Sequence, residues 1–400
     1  MIARQSVVLS EKLEPLLAAS RIKTGLFLCS SKRLFASSCV KNHEIPCSMS
    51  RWETSRYGSI SSLVFNTEAP VPKVIKKDTI MMQVKAASVN PFDIEMIEGY
   101  GSKAMNVLRR LYNAKEFPIV TGRDCSGVVV KTGQGVRRFK VGDEVWCAKW
   151  VLEKGTHAEY CLASQSEVSL KPKTLSHLEA ASIPYVACTS WTALVSRAGI
   201  DPKKIDNGKH ILLLGGSGGI GTFAIQLAKC FGNTVTATCS QNNIDFLYSL
   251  GADNVIDYQA ENHDYLIQQT GPYDIVLDAR SGHHTDTIGC TEKTTFVTLM
   301  PPFLPAIDES GLAFGLFNAG MEFYRQSFEN LAQNRGRYAW GLFFPNGGIL
   351  RSVSEFIDRG LIKPVISGVV RFEDAKEAFR MLQSGTTKGK IVLDMCDKPK

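Results

Sequence analysis

The densest chemistry in the sequence lies between His210 and Gly221, His-Ile-Leu-Leu-Leu-Gly-Gly-Ser-Gly-Gly-Ile-Gly. An apolar strand runs into Gly216-x-Gly218-x-x-Gly221 and then into a helix, Thr222 to Cys230, with apolar Phe223, Ile225, Leu227 and Ala228. Glycines at this spacing permit a tight turn, close approach of a pyrophosphate to backbone N–H groups and tight helix–strand packing, while the helix N-terminus favours negative charge. The same residues also spell Gly215-x-Ser217-x-Gly219, a nucleophile elbow that occupies the same strand–turn–helix setting. A serine hydrolase needs a late histidine to activate Ser217, and none follows His284. The dinucleotide reading needs Gly221 and a second strand that meets the adenosine ribose, and both are present.

That second strand, Thr234 to Cys239, ends in Ser240-Gln241-Asn242. No Asp or Glu follows it to hold a free 2′-hydroxyl, whereas hydroxyl and amide groups donate to a 2′-phosphate, so NADPH is expected over NADH. Tyr258, after the third strand, is either a further donor or a packed ring.

Other chemistries lack their residues. None of the eleven tyrosines has Lys four positions on, no two of the eleven cysteines form Cys-x-x-Cys, and no His-x-x-x-His pair occurs. Reduced thiols packed as small hydrophobes are expected, without a zinc ribbon, zinc-protease helix or secreted disulfide framework.

The elements that must hold the glycine turn change character along the chain. From Arg51 to about Ser182 short β segments alternate with Gly, Pro and Asn (Ile80–Val89, Gly127–Lys131, Glu144–Cys147, Glu159–Leu162), a β-rich and partly closed domain. From His210 onward β and α patterns alternate, with strands expected at Ile211–Leu214, Val235–Thr238, Asn254–Ile256, Ile275–Leu277 and Phe296–Leu299. This calls for parallel βαβ units, and a short helix and a strand at Gly389–Asp394 close the chain.

Composition bounds the rest. The chain has 400 residues, 44% hydrophobic and 21% charged, and no apolar run approaches a bilayer span. Of the net charge of +7, +5 lies in residues 1–43, which carry seven basic and two acidic side chains. With Val7, Val8, Leu13, Leu16 and Leu17 at helical spacings and abundant serine, this stretch reads as a mitochondrial transit peptide. A disordered arm is the plainer alternative. The remaining +2 gives no footing for nucleic acid.

Six further stretches occur in order: Val84-Lys-Ala-Ala-Ser-Val-Asn90-Pro91-Phe-Asp93, Phe117-Pro-Ile-Val-Thr-Gly122-Arg123-Asp124-Cys-Ser-Gly127-Val, Phe139-Lys-Val-Gly142-Asp143-Glu-Val, Ala180-Ala-Ser-Ile-Pro184, Leu250-Gly-Ala-Asp253 and Lys388-Gly-Lys-Ile-Val392. With the glycine turn they resemble the medium-chain dehydrogenase/reductase superfamily, on its zinc-independent quinone-oxidoreductase branch, from about Arg51 to Asp394. The fold this implies is α/β: a GroES-like β-rich catalytic domain, 49–182 completed by 347–400, and a Rossmann doubly wound parallel sheet, 183–346, behind a transit peptide of residues 1–48. Ile183-Pro-Tyr-Val-Ala-Cys-Thr189, Gly218 to Gln226 and Thr298 to Leu304 resemble a mitochondrial member of the branch. That implies a mitochondrial matrix oxidoreductase that uses NADPH, reduces a quinone or enone, and supports ubiquinone (coenzyme Q) biosynthesis and the respiratory chain. Protein partners in that synthesis and a homodimer are the associations to look for.

Zinc-containing relatives carry Cys, His and Glu where this chain has Asn90, Arg123 and Asp124. An amide, a guanidinium and one carboxylate do not make the N/S site that zinc prefers, so no metal is expected. Asn90, whose amide would donate to a substrate oxygen, and Tyr100, whose phenol would supply a proton, are the candidate catalytic residues. Their plainer roles are a turn before Pro91 and a loop between Gly99 and Gly101. Arg123 and Asp124 are expected as a structural ion pair, with Asp93 as a candidate third member, and Thr189 as a nicotinamide contact or a helix cap. Carried over by resemblance, the cofactor residues are Ser217, Gly219 and Ile220 at the pyrophosphate, Ser240 and Tyr258 at the 2′-phosphate, and Leu299 beside the nicotinamide ribose, with Gly341, Phe343, Thr387 and Lys388 from the C-terminal part. Asp278-Ala279-Arg280-Ser281 departs from the Asp-Asn-Val-Gly of relatives, which removes a polar group near the nicotinamide. An NADPH-binding regulatory or scaffold protein with little turnover is therefore the alternative.

Overall fold

The computed structural model describes residues 45–74, 76–111, 114–280, 288, 290–333 and 335–396. Residues 1–44, and with them nearly all of the expected transit peptide, lie outside it. Three sheets organise the described chain. A small one joins β1 (Ser48–Thr54), β2 (Val64–Pro70) and β4 (Ile119–Val120). A seven-stranded one is built around β3 (Thr79–Val89), with β5 (Asp124–Thr132), β6 (Glu144–Ala148), β7 (Tyr160–Ser164) and β8 (Val168–Leu170). It is completed by two strands from the far end of the sequence, β15 (Ile366–Arg371) and β16 (Lys390–Asp394), the latter antiparallel to β3.

β3 alternates little because both its faces are covered, and its residues are nearly all buried. Met82, Cys125, Cys147 and Cys161 meet in the core of this sheet. The Cys125 and Cys147 sulfurs are 3.6 Å apart, well beyond a disulfide bond, and every described cysteine is a free thiol.

The third sheet is parallel throughout, in the order β11 (Asn254–Asp257), β10 (Thr234–Cys239), β9 (His210–Leu214), β12 (Tyr273–Asp278), β13 (Cys290–Thr298), β14 (Arg337–Trp340). By chain order that is 3-2-1-4-5-6, the doubly wound arrangement, which opens a crevice at the carboxyl ends of the strands where the order reverses. Leu212 and Leu214 face one side of the sheet and Ile211 and Leu213 the other, so β9 is an unbroken apolar run buried on both faces.

Helix α1 (Pro91–Glu98) follows β3 and α2 (Ser102–Leu111) follows that; α3 (His177–Ala181) and α4 (Pro184–Trp191) lead toward the parallel sheet. α4 runs on into a π-helical turn, Thr192–Arg197, closed by an Ala198 N–H to Ala193 carbonyl bond of 2.9 Å. The glycine turn opens α5 (Gly219–Cys230). α6 (Ile244–Ser249) and α7 (His263–Thr270) cross between strands, and α8 (Phe303–Ser310) and α9 (Leu312–Ala332) form a hairpin before β14. α10 (Gly347–Asp358) and α11 (Ala375–Gln383) complete the set. Most strands expected from the sequence fall within one or two residues of the observed ones; β5 begins three residues before the expected Gly127 and β13 six before the expected Phe296. β1, β2, β14, β15 and the long α9 were not expected.

Candidate active site

The turn after β9 is built from glycines for three separate reasons. Gly215 has φ of +90°, a left-handed conformation that other residues adopt at a cost. A Cβ on Gly221 would stand 2.2 Å from the Gly215 carbonyl oxygen and 2.7 Å from the Gly216 backbone, so α5 rests directly on the turn. A Cβ on Gly218 would meet nothing closer than 3.9 Å, which leaves open space at the helix N-cap. Such a turn, with N–H groups at the head of a twelve-residue helix, suits a pyrophosphate. Gly216 N–H donates to the Thr238 carbonyl at 2.8 Å and Gly215 N–H to Thr238 Oγ1 at 3.1 Å, tying the turn to β10.

The other expected cofactor residues gather along the same carboxyl edge. Ser240 follows β10 and accepts from the Asn243 amide at 3.1 Å. Tyr258 follows β11, and the Arg280 guanidinium, just past β12, stacks 4.0 Å over its ring. Lys388 lies 5.5 Å over the Phe246 ring and 3.5 Å from the Asn242 carbonyl. The crevice beside Ser240 and Tyr258 thus carries two cations, Arg280 and Lys388; of these the sequence reading had only Lys388 among the cofactor residues, from the C-terminal part. Leu299 follows β13 and Gly341 follows β14, and a Cβ on Gly341 would strike Leu299 at 2.7 Å. Phe343 stacks on Tyr185 at 4.4 Å. Thr189 lies in the interior of α4 and donates to the Tyr185 carbonyl at 2.8 Å, so it neither opens nor caps a helix. Thr387 is half-buried in the loop that precedes β16.

That loop joins the two larger sheets. Gly389 pairs with Gly218, its N–H donating to the Ser217 carbonyl at 3.0 Å, and Gly389 φ of +74° allows the turn. Ile220 is the second residue of α5. Lys390, the next residue after Gly389, runs under Gly219, where a Cβ would lie 2.8 Å from the lysine Cδ. Its ammonium donates to the Val89 carbonyl at 3.1 Å and to Asn90 Oδ1, and stands 4.0 Å from Asp124 Oδ2. Asn90 Nδ2 donates to Asp124 Oδ1 at 3.0 Å, where Ser88 Oγ also donates at 2.7 Å, and the Tyr185 N–H donates to Asp124 Oδ2 at 3.2 Å. Burial pushes the Lys390 pKa down and that of Asp124 up, and each charge pulls the other part of the way back.

Asn90 therefore does not simply fix the turn. The backbone there is held by Asp93, whose Oδ2 accepts from Asn90 N–H at 2.9 Å, while the Asn90 amide is wedged between Lys390 and Asp124. Arg123 and Asp124 do not pair with each other. Adjacent side chains of extended backbone point to opposite faces. The buried Arg123 guanidinium donates to the carbonyls of Val120, Trp150 and Glu153 at 2.9 to 3.0 Å, with Asp93 3.8 Å from its Nε. Tyr100 lies past the far end of α1, its ring 6.5 Å from Phe92, beside the head of α2, where the Gly101 and Lys103 N–H groups donate to Asp308. Burial first, then the Glu95 and Asp308 charges, push its phenol up to about 12, which makes it a weak acid near neutral pH.

Lys390 was missed at the sequence level, although a lysine heading the apolar run Ile-Val-Leu was a visible signal. The hydrolase reading finds no support among the described residues. His157 binds Thr121 and the Ser88 carbonyl, His177 binds Ser126, His210 binds Thr236 and the Pro272 carbonyl, and His263 the Ala260 carbonyl. His283 and His284 lie outside the described residues. The Asn90, Arg123 and Asp124 set is likewise a poor fit for zinc, because the guanidinium is clamped on carbonyls and the carboxylate already faces an ammonium.

Comparison with known proteins agrees with this geometry. Residues 76–177 match the alcohol dehydrogenase GroES-like domain and residues 250–393 the zinc-binding dehydrogenase family. A Danio rerio protein named NAD(P)H oxidoreductase RTN4IP1, mitochondrial, is 38% identical over 92% of this chain and 96% of its own length. Its Homo sapiens counterpart is 38% identical over 87% of this chain and 89% of its own. Among solved structures, a quinone oxidoreductase from Coxiella burnetii superposes with a TM-score of 0.70 at 26% identity, covering 87% of this chain and 99% of that one. With a doubly wound sheet, a glycine turn at its switch point and a GroES-like sheet against it, the chain belongs to the mitochondrial NAD(P)H oxidoreductases of the medium-chain dehydrogenase/reductase family.

Proposed function

We propose that this mitochondrial oxidoreductase is a zinc-free reductase that uses NADPH to reduce a quinone or a related carbonyl compound, in support of ubiquinone biosynthesis and respiration. The observation that carries the reading is the junction at Gly218 and Gly389, which sets the glycine turn directly against the Lys390, Asn90 and Asp124 group. NADPH supplies the hydride when bound. Gly218, Gly219 and Ile220 present N–H groups to the pyrophosphate, and Ser240, Tyr258, Arg280 and Lys388 receive the 2′-phosphate. Tyr185, Phe343 and Leu299 form an apolar wall that aligns the reacting carbon and excludes water. Lys390 and the amide it orients stabilise negative charge that develops on the carbonyl oxygen. We divide the chain at 49–182 with 347–400 and at 183–346, as β15 and β16 return to the first large sheet. Residues 1–48 are read as a matrix-targeting peptide, cut between Arg33 and Arg51.

The test mixes the purified protein with NADPH and a quinone panel and follows nicotinamide absorbance and fluorescence together. Quinone-dependent oxidation is expected, with NADPH bound at least about tenfold more tightly than NADH and Arg280→Ala erasing most of that preference. Tight binding without oxidation would favour the second reading, a binding protein, which the committed ends of the Asn90 amide and the reluctant Tyr100 phenol support.

A further inference from the structure

Helix α2 is held from two sides by different parts of the molecule. It carries Lys103, Arg109 and Arg110 and no acid, and ten residues make a helix that is marginal in water by itself. Its leading N–H groups are taken by Asp308 of α8, which lies 207 residues beyond Gly101 in the chain. One oxygen of that carboxylate accepts from Gly101 N–H and the other from Lys103 N–H at 3.0 Å, so the acid caps α2 from outside and complements the positive end of its dipole. Leu304, one turn earlier on α8, covers Gly101, where a Cβ would lie 3.2 Å from its side chain. Further along, α2 is tied to its own half of the molecule. Asn106 donates to Glu116 Oε1 at 2.6 Å, and the Tyr57 hydroxyl donates to the same oxygen. The turn into α2 bends at Gly99 and Gly101, with φ of +93° and +72°, on either side of Tyr100. α8 begins four residues after Leu299, and its Phe303 stacks 5.9 Å from Trp340 at the end of β14. The Asp308 contact therefore bridges the crevice near Leu299, as the Gly218 and Gly389 junction bridges it at the glycine turn.

We propose that the head of α2 is a gate over the nicotinamide end of the crevice, hinged at Gly99 and Gly101 and latched shut by Asp308, and that NADPH exchanges through its open form. The proposal rests on the reading of Leu299 as the wall beside the nicotinamide. Three features select a gate over a fixed scaffold. The latch is one side chain, since both bonds end on the same carboxylate, and its departure frees the head of the helix in one step. With three cations and no acid, α2 has nothing of its own to complement its N-terminal charge, so the unlatched head frays instead of standing as a helix. The hinge glycines lie on the latch side, while Glu116 keeps the helix attached to its own half, so opening is local and leaves both large sheets intact. Asp308 is a positioning residue: it holds the backbone of the gate and acts on the crevice through it. The same turn carries Tyr100, so the latch also fixes the Tyr100 ring edge-on to Phe92.

Limited trypsin digestion of the full chain reads the open form through cleavage after Lys103 and Arg110, with the exposed Lys203 and Lys204 as an internal reference. Asp308→Ala is expected to speed cleavage in α2 by about three- to thirtyfold, in proportion to the opened population, and to leave the reference sites unchanged. Asp308→Asn keeps one acceptor oxygen and should fall between, and Leu304→Ala should act in the same direction. In stopped-flow NADPH fluorescence, Asp308→Ala should raise the association and dissociation rates by a common factor, so that affinity changes less than either rate. Cleavage in α2 that does not rise, cleavage that rises equally at Lys203 and Lys204, or a dissociation rate that rises alone overturns the proposal. A protein that binds no NADPH fails the functional reading instead, and the cleavage comparison then decides for or against the latch.

Discussion

Lys390→Met is the most informative single perturbation, because it removes a charge from a closed group. Lys390 is 6% and Asp124 0% exposed, and their charged atoms are 4.0 Å apart. At an effective dielectric constant near 20 that separation is worth about 4 kcal/mol, and removing one member of a buried pair typically costs about 3–5 kcal/mol. Lys390→Met leaves the Asp124 carboxylate facing only Ser88, Asn90 and a backbone N–H, and a loss of about 3–5 kcal/mol is expected in urea unfolding followed by tryptophan fluorescence. Asp124→Asn should cost a similar amount for the mirror reason. The double substitution removes both charges, so its loss should fall short of the sum by about 1–3 kcal/mol. Acid should relieve the Lys390→Met defect. Burial holds the Asp124 pKa above the usual carboxylate range, and losing the lysine raises it further. A raised carboxyl pKa lends stability that is present at low pH and lost as pH climbs through the folded value, so the deficit is largest near neutrality. Additivity of the two substitutions within about 0.5 kcal/mol would refute the view that these groups act as a pair.

Two other perturbations test the site's supports. Gly221→Ala forces a methyl group to within 2.2 Å of the Gly215 carbonyl and should lower both the melting temperature and dinucleotide affinity by fluorescence titration, whereas Gly218→Ala, whose methyl enters the open space given to the pyrophosphate, should cost at least about tenfold in affinity with little change in melting temperature. His157 is buried, with both ring nitrogens engaged, and burial lowers its pKa below the ordinary histidine value. The unfolded chain then binds the extra proton first, so stability is full above about pH 6.5 and falls with acidification at up to about 1.4 kcal/mol per pH unit. His157→Gln should flatten that slope in melting temperatures measured between pH 5 and 7; an unchanged slope would show that another group titrates.

What was legible in the sequence follows from how local each signal is. The glycine turn and the strand that feeds it are read from adjacent residues, and the parallel sheet from the alternation of apolar runs. The cofactor crevice is then fixed by topology, since every strand of a doubly wound sheet delivers its carboxyl end to one edge. Groups made by distant segments were not legible. Asn90 and Lys390 are 300 residues apart, and nothing near either one reveals the other. Arg280 looked like a departure from relatives until its stacking on Tyr258 gave it a place. α9 escaped because glycines and aromatics lower helical propensity, and its core-facing side mixes Gly315, Ala319 and Asn330 with Phe323 rather than repeating large apolar residues.

The return of β16 to β3 also sets an order of events in synthesis. β3 leaves the ribosome about 300 residues before the strand that pairs with it, so the first sheet waits with an unpaired edge while the whole parallel sheet is made. Only the last few percent of translation delivers Lys390 to Asn90 and Gly389 to the glycine turn. A chain cut short before that point forfeits both at once, retaining a near-complete dinucleotide sheet beside a sheet that lacks its closing strand. Such products are poised to aggregate through that edge, so loss of the C-terminus should act through clearance of the protein rather than through a weakened enzyme.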